Sequence, residues 1–151
     1  MGGKWTTCRP MAEDTLAAVE CQIGRTLPTP EPMPLRGAAA NPDNTISELQ
    51  QQALALEDLL PHTPERAQQI LHLQHNFGLH AEAVVAQAPM EAREPLSSVI
   101  PICRAEIQHA ICKEHASCAD DVLSRRCRLA MVDAAEAERL SPLVNNELER
   151  M

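Results

Sequence analysis

The chain has 151 residues, enough for one ordinary domain burying roughly 68–70% of its unfolded surface. Hydrophobic residues make up 44%, with one Trp, one Phe and no Tyr, so Ala, Leu, Ile and Val must fill the core. The net charge is −8, Lys occurs at positions 4 and 113 alone, and no nucleic-acid partner is expected, since a phosphate backbone needs clustered cations.

At the N-terminus, Gly2-Gly3 permits unusual backbone angles, and Thr6 or Thr7 can cap a helix with Pro10 in its first turn. Met11, Thr15 and Ala18–Val19 would line one face, and Gly24 would stop the helix. Residues 27–44 carry Pro28, Pro30, Pro32, Pro34 and Pro42, which predicts an extended linker. The spacing therefore divides the chain into 1–26, a linker at 27–44, and 45–151.

Beyond the linker, Thr45 to Glu48 reads as a capping box, followed by an apolar stripe at Leu49, Ala53, Leu56 and Leu60. Pro61 ends that helix, Thr63-Pro64 starts another as cap and first position, and Gly78 closes it. A short helix is expected from His80 to Ala88, then a loop over 89–101 with Pro89, Pro95 and Pro101. From Arg104 a 3–4 spacing returns at Ile107, Ala110, Ile111 and Glu114. Ser117 or Asp120 can cap the next helix, which carries Val122, Leu123, Arg126 and Leu129–Ala130. Asp133 with Glu136 forms a further capping box ahead of Ala137, Leu140, Val144 and Leu148, and Pro142 would kink that helix. No strand-like alternation follows the linker, so the fold class is mainly α.

Six cysteines, no apolar signal segment at the start and no apolar run of membrane-spanning length point to reduced thiols. His109, Cys112, His115 and Cys118 are zinc-ligand types, but each step of three turns a helix by about −60°, so the four cannot close on one ion. No metal is expected. Trp5 reads as packing. Glu106, Glu114 and Asp121 are expected to form interhelical ion pairs with Arg125, Arg126 and Arg128 in preference to leaving an anion site.

Gly-Gly-Lys-Trp-Thr-Thr-Cys-Arg-Pro-Met-Ala-Glu-Asp at 2–14 resembles the segment that closes the flavin domain of FAD-dependent glycerol-3-phosphate dehydrogenases. Cys8 stands where that family has Tyr, and Pro10 where it has a polar residue. Leu73 to Gly78 is similar to the family's Leu, three variable residues, Tyr-Gly, with Phe77 for Tyr. Ala105-Glu106, Glu114 and Asp121 through Ala130 resemble its helical C-terminal domain, and Ala134-Ala135 and Leu140-Ser141-Pro142 continue the likeness.

The resemblance implies a bundle-like helical C-terminal cap domain preceded by a turn-helix remnant of an α/β FAD-binding domain. Members oxidise glycerol 3-phosphate to dihydroxyacetone phosphate and pass electrons through FAD to a quinone. By resemblance Gly2, Gly3, Lys4, Thr6 and Thr7 would lie beside FAD, with Lys4 also able to face the anionic substrate. The family's Gly-x-Gly-x-x-Gly fingerprint does not occur here, so the flavin and substrate domain would be a separate, N-terminal part and this chain alone is expected to be inactive. The wording of 2–7 is closer to the mitochondrial branch, which implies the mitochondrial inner membrane. The cytoplasmic face of a bacterial membrane is the alternative. A stand-alone helical interaction module without catalysis, or a Cys/His metal-binding helical domain, are the rival functions.

Overall fold

The computed structural model describes residues 4–28 and 33–150, with Trp5 described by its backbone alone. All its regular elements are helical, and the one β-type pairing among the described residues is a single antiparallel bridge between Pro95 and Cys103. The chain divides into two compact units, Met1–Met33 and Pro34–Met151.

In the first unit a 3₁₀ turn at Trp5–Thr7 leads into α1, Cys8–Ile23. Thr7 precedes the helix as expected, yet its hydroxyl points backward. Both its N–H and its Oγ1 donate to the Lys4 carbonyl at 2.9 Å, closing the turn and leaving the helix without a side-chain cap. Gly24 stops α1 in the left-handed region at φ 62, donating its N–H to the Glu20 carbonyl. The Glu20 carboxylate then accepts the Leu27 N–H at 2.7 Å. No residue of α1 is buried, and Leu16, Val19 and Ile23 are about half exposed.

The second unit holds α2 (Thr45–Leu59), α3 (Arg66–Phe77), α4 (Ala81–Val85), α5 (Arg104–Glu114), α6 (Leu129–Val132) and α7 (Ala134–Glu149). Two apolar clusters organise it. Leu56 and Leu60 from the α2 stripe meet Ile70 and Leu73 of α3 and Ala81, Val84 and Val85 of α4. The other cluster joins Ile107 and Ala110 of α5 to Val122, Leu123 and Leu129, and to Ala137, Leu140 and Val144 of α7. Since Cys103 and Ala105 pack in the first cluster and Ile107 and Ala110 in the second, α5 is the wall between them.

Several local expectations are corrected. The capping box at Thr45 does not form: a 3₁₀ turn at Pro42–Asn44 runs straight into α2, so Thr45 is already helical and its hydroxyl donates to the Pro42 carbonyl. α3 starts at Arg66 after a turn, and Thr63 caps nothing; its Oγ1 is buried without a partner. α4 ends at Val85 instead of Ala88: the Ala88 N–H bonds three residues back to the Val85 carbonyl at 3.1 Å, and Arg93 takes the Ala86 and Ala88 carbonyls at 3.0 and 2.8 Å. Arg93 also takes the Leu59 carbonyl at 2.8 Å, so one guanidinium closes the ends of both α2 and α4. The expected helix after Ser117 is a π-helix over Asp121–Arg126, broken at Arg128, whose φ of 61 is left-handed. At α7 Asp133 accepts the Glu136 N–H at 3.0 Å, but Glu136 turns to Arg139 instead of completing the box. Pro142 lies within the continuous span of α7.

Candidate functional site

Gly2 and Gly3 of the flavin-side segment lie outside the described residues. Lys4, Thr6 and Thr7 are exposed. What they offer an anionic ring is one ammonium and one helix N-terminus, whose first N–H groups have no partner within the helix. Thr7 is already engaged with Lys4, and its Oγ1 also reaches the Met11 sulfur at 3.7 Å. Among the described residues of this stretch no buried polar group is aimed at a ligand, so they do not by themselves fit a dinucleotide. The donors for adenine, ribose and pyrophosphate would have to come from elsewhere.

Several charged groups of the helical unit gather around the ends of α5. His115 leaves α5 in the left-handed region at φ 57, which turns the chain toward the π-helix. Arg126 fills that corner: Nη2 donates to the Glu114 carbonyl at 2.6 Å, Nη1 to the Asp121 carbonyl at 3.1 Å, and Nε stands 3.5 Å from the Glu114 carboxylate. Asp121 accepts both the N–H and the hydroxyl of Ser117 at 2.8 and 3.0 Å. Those two bonds, the backbone one first, hold its carboxyl well below the usual range. Arg125 pairs with Asp120 and Asp121 at 2.8 and 3.0 Å on the exposed surface, where such contacts contribute about 0–1 kcal/mol.

Glu106 and Arg128 do not join this network. Glu106 is 4% exposed and faces α3, accepting the Cys103 N–H at 2.9 Å on one oxygen and lying 2.7 Å from His72 Nε2 on the other. A carboxylate three places into a helix is drawn back to the free N–H at its start, which takes Glu106 to the end of α5 opposite the arginines. Arg128, exposed and turned by its left-handed backbone, makes no side-chain hydrogen bond or ion pair among the described residues. Glu106, Glu114, Arg126 and Arg128 nevertheless line one cavity of about 230 Å³ with His75 and Asn76.

The sequence reading missed a second buried carboxylate. Glu147 of α7 is 3% exposed, held by Gln108 Nε2 at 3.0 Å and by Arg104 and Arg150 at 3.3 Å each. The Arg104 contact is an ion pair without a formed hydrogen bond, since its Nε lacks a partner of suitable geometry. Its position three residues after Val144, on the stripe of Ala137 and Leu140, was the signal available.

Among the described residues no cysteine forms a disulfide. Burial pushes the Cys103 thiol far up, with the Glu106 charge adding to it, and burial raises Cys127 to about 11, so neither is a nucleophile at neutral pH. Among the described residues no group of three or more His, Cys, Asp or Glu is placed to hold a metal ion. Nor is any described helix long and apolar enough to cross a membrane.

Residues 29–150 match the family model of the C-terminal domain of alpha-glycerophosphate oxidase. The mitochondrial glycerol-3-phosphate dehydrogenase of Arabidopsis thaliana is 31% identical over 148 residues, covering 91% of this chain and 23% of the plant protein. The human mitochondrial glycerol-3-phosphate dehydrogenase is 29% identical over 157 residues, covering 95% and 19%. Glycerol-3-phosphate dehydrogenase 1 of Mycobacterium bovis is 31% identical over 160 residues, covering 99% and 26%. The chain thus spans a fifth to a quarter of these relatives. No solved structure matches it.

Proposed function

The chain belongs to the family of the C-terminal domain of alpha-glycerophosphate oxidase, and from that premise we propose that it serves as the helical C-terminal part of an FAD-dependent, quinone-linked glycerol-3-phosphate dehydrogenase. The observation that carries this reading is the contrast between its two units. Residues 34–150 close two apolar clusters of their own, while α1 buries nothing and keeps Leu16, Val19 and Ile23 available to a partner surface.

In that assembly glycerol 3-phosphate is oxidised to dihydroxyacetone phosphate, FAD supplies the redox chemistry when bound, and a quinone accepts the electrons. The chain's own contribution is small at the chemistry. Gly2, Gly3, Thr6 and Thr7 bring backbone and helix N-terminus toward the flavin, and Lys4 neutralises an anionic flavin oxygen or the substrate phosphate. The boundary between a flavin-domain tail at 1–26 and a helical domain from 45 falls within the Pro-rich segment. Glu114, Asp121, Arg125 and Arg126 keep the π-helix on α5 and do no chemistry. The plant and human relatives are named mitochondrial, which supports the mitochondrion, and we place the parent at its inner membrane.

The test has two arms. The purified 151-residue chain is mixed with FAD, desalted, and examined for flavin absorbance and dye-linked oxidation of glycerol 3-phosphate. The expected outcome is neither, because hydride transfer needs the substrate carbon held about 3–3.5 Å from its acceptor by many converging groups. A stoichiometric flavin band with turnover would overturn that part. In the second arm the chain replaces the matching segment of the human relative. Regained flavin and activity support the reading, whereas a folded but flavin-free chimera points to a stand-alone helical module.

A further inference from the structure

Residues 34–40 lie over the corner between α3 and α4. Gly37, at φ +83, runs so close to that corner that a β-carbon on it would stand 2.1 Å from the Phe77 carbonyl oxygen. Gly78, at φ +55, is the mirror of this contact: its β-carbon would stand 2.4 Å from the Gly37 carbonyl oxygen. That carbonyl accepts the Leu79 N–H at 2.9 Å. Two glycine backbones and one hydrogen bond make the clasp.

Beside it sits a cluster of rings. His109 of α5 meets Phe77 edge-on with centroids 5.4 Å apart, and the His80 ring at 5.6 Å. The charged groups acting on His109 come from three elements: Glu114 and Lys113 from α5, His80 from the turn before α4, and Arg36 from the segment itself. Three of the four are basic. Glu114 is 3.9 Å from His109 Nε2, but it also faces Arg126 at 3.5 Å.

We infer that residues 34–40 form a pH-sensitive strap, clasped on the α3–α4 corner while His109 is neutral and released when it takes up a proton. His109 is 12% exposed by its side chain. Burial holds its basicity below the ordinary 6.5; His80, Arg36 and Lys113 add to that, and Glu114 opposes it. The clasped form therefore binds fewer protons than the released form. Its stability is complete above the ordinary value and is lost as pH falls below 6.5 through the clasped value. The repulsion acts where it matters, since Arg36 is covalently next to Gly37.

The test is amide exchange of the whole 151-residue chain by NMR, with each rate divided by its intrinsic rate so that pH acts on structure alone. Between pH 7.5 and 5 the protection of the Leu79 N–H should fall severalfold. The Ile107 N–H inside α5 should hold. H109Q should flatten the Leu79 response, and R36Q should reduce it with every ring still in place. Leu79 protection that stays constant in the natural chain, or falls equally in H109Q and R36Q, overturns the strap. So does a directly titrated His109 at or above 6.5.

Discussion

Among single residues, Arg93 carries more structure than any other cation of the helical unit. Its guanidinium closes α2 at Leu59 and α4 at Ala86 and Ala88, and its own carbonyl is held by the buried Gln69 at 2.7 Å. R93M would strand three carbonyls and keep most of the apolar stem. We expect a loss of about 2–4 kcal/mol in urea denaturation, from the charged hydrogen bonds and the acceptors left unmet. A loss below about 0.5 kcal/mol, the ordinary surface range, would show that water replaces the guanidinium freely. Glu136 works through charge instead. Hydrogen bonds from Arg139, and secondarily from Ser97, lower its carboxyl from 4.5 to about 2. The folded state then binds fewer protons than the unfolded one across that window, so its contribution is present above pH 4.5 and lost as pH falls toward 2. The melting temperature of E136Q should vary less with pH than that of the natural chain between those values. Parallel curves would remove the assigned cause.

At the scale of elements, the helix ends separate into those decided locally and those decided by a neighbour. Gly24 and Gly78 both adopt positive φ at a helix end, but a β-carbon at Gly24 meets nothing within 4 Å, while one at Gly37 would strike the Phe77 carbonyl and one at Gly78 the Gly37 carbonyl. G24A should therefore cost only the left-handed backbone penalty, about 1 kcal/mol. G37A adds a backbone clash that no side-chain rotation relieves, and about 2 kcal/mol or more is expected, with faster protease cleavage at 34–40. Equal effects of the two substitutions would contradict the close approach. The π-helix shows the same division. Its one extra residue per turn gives Cys127 N–H the Val122 carbonyl at 3.0 Å and sets Arg126 against the end of α5, which a regular α-turn would rotate away.

For the molecule as a whole, the two units differ in what they bury. Since α1 buries no residue, a shortened chain of residues 34–151 should unfold in urea at the same midpoint and with nearly the same slope as the full chain. A clearly lower midpoint would mean that α1 supports the helical unit. The two clusters, in contrast, share α5 and should not melt separately. Coincident transitions by circular dichroism and by exchange of buried amides are expected.

The residues alone determined the all-helical class, the helices from α2 to α5 and α7 to within a few residues, and the kinship with glycerol-3-phosphate dehydrogenases. Those depend on signals read within one or two turns: Pro61 after α2, Gly24 and Gly78 at helix ends, the Asp133 cap, and apolar stripes such as Leu56 and Leu60. Within the charged motif, sequence spacing brought Glu114 and Arg126 to neighbouring helices but could not tell that Glu106 turns to His72, 34 residues away. Gln108 to Glu147 spans 39 residues and Arg93 to Leu59 spans 34. The strap, the π-helix and these buried pairs were settled only by the tertiary fold. A hydrogen bond four residues away is set by the backbone itself, whereas a partner across the core exists only after α5 has been walled in by both clusters and each buried charge has been left to find the nearest group that can neutralise it.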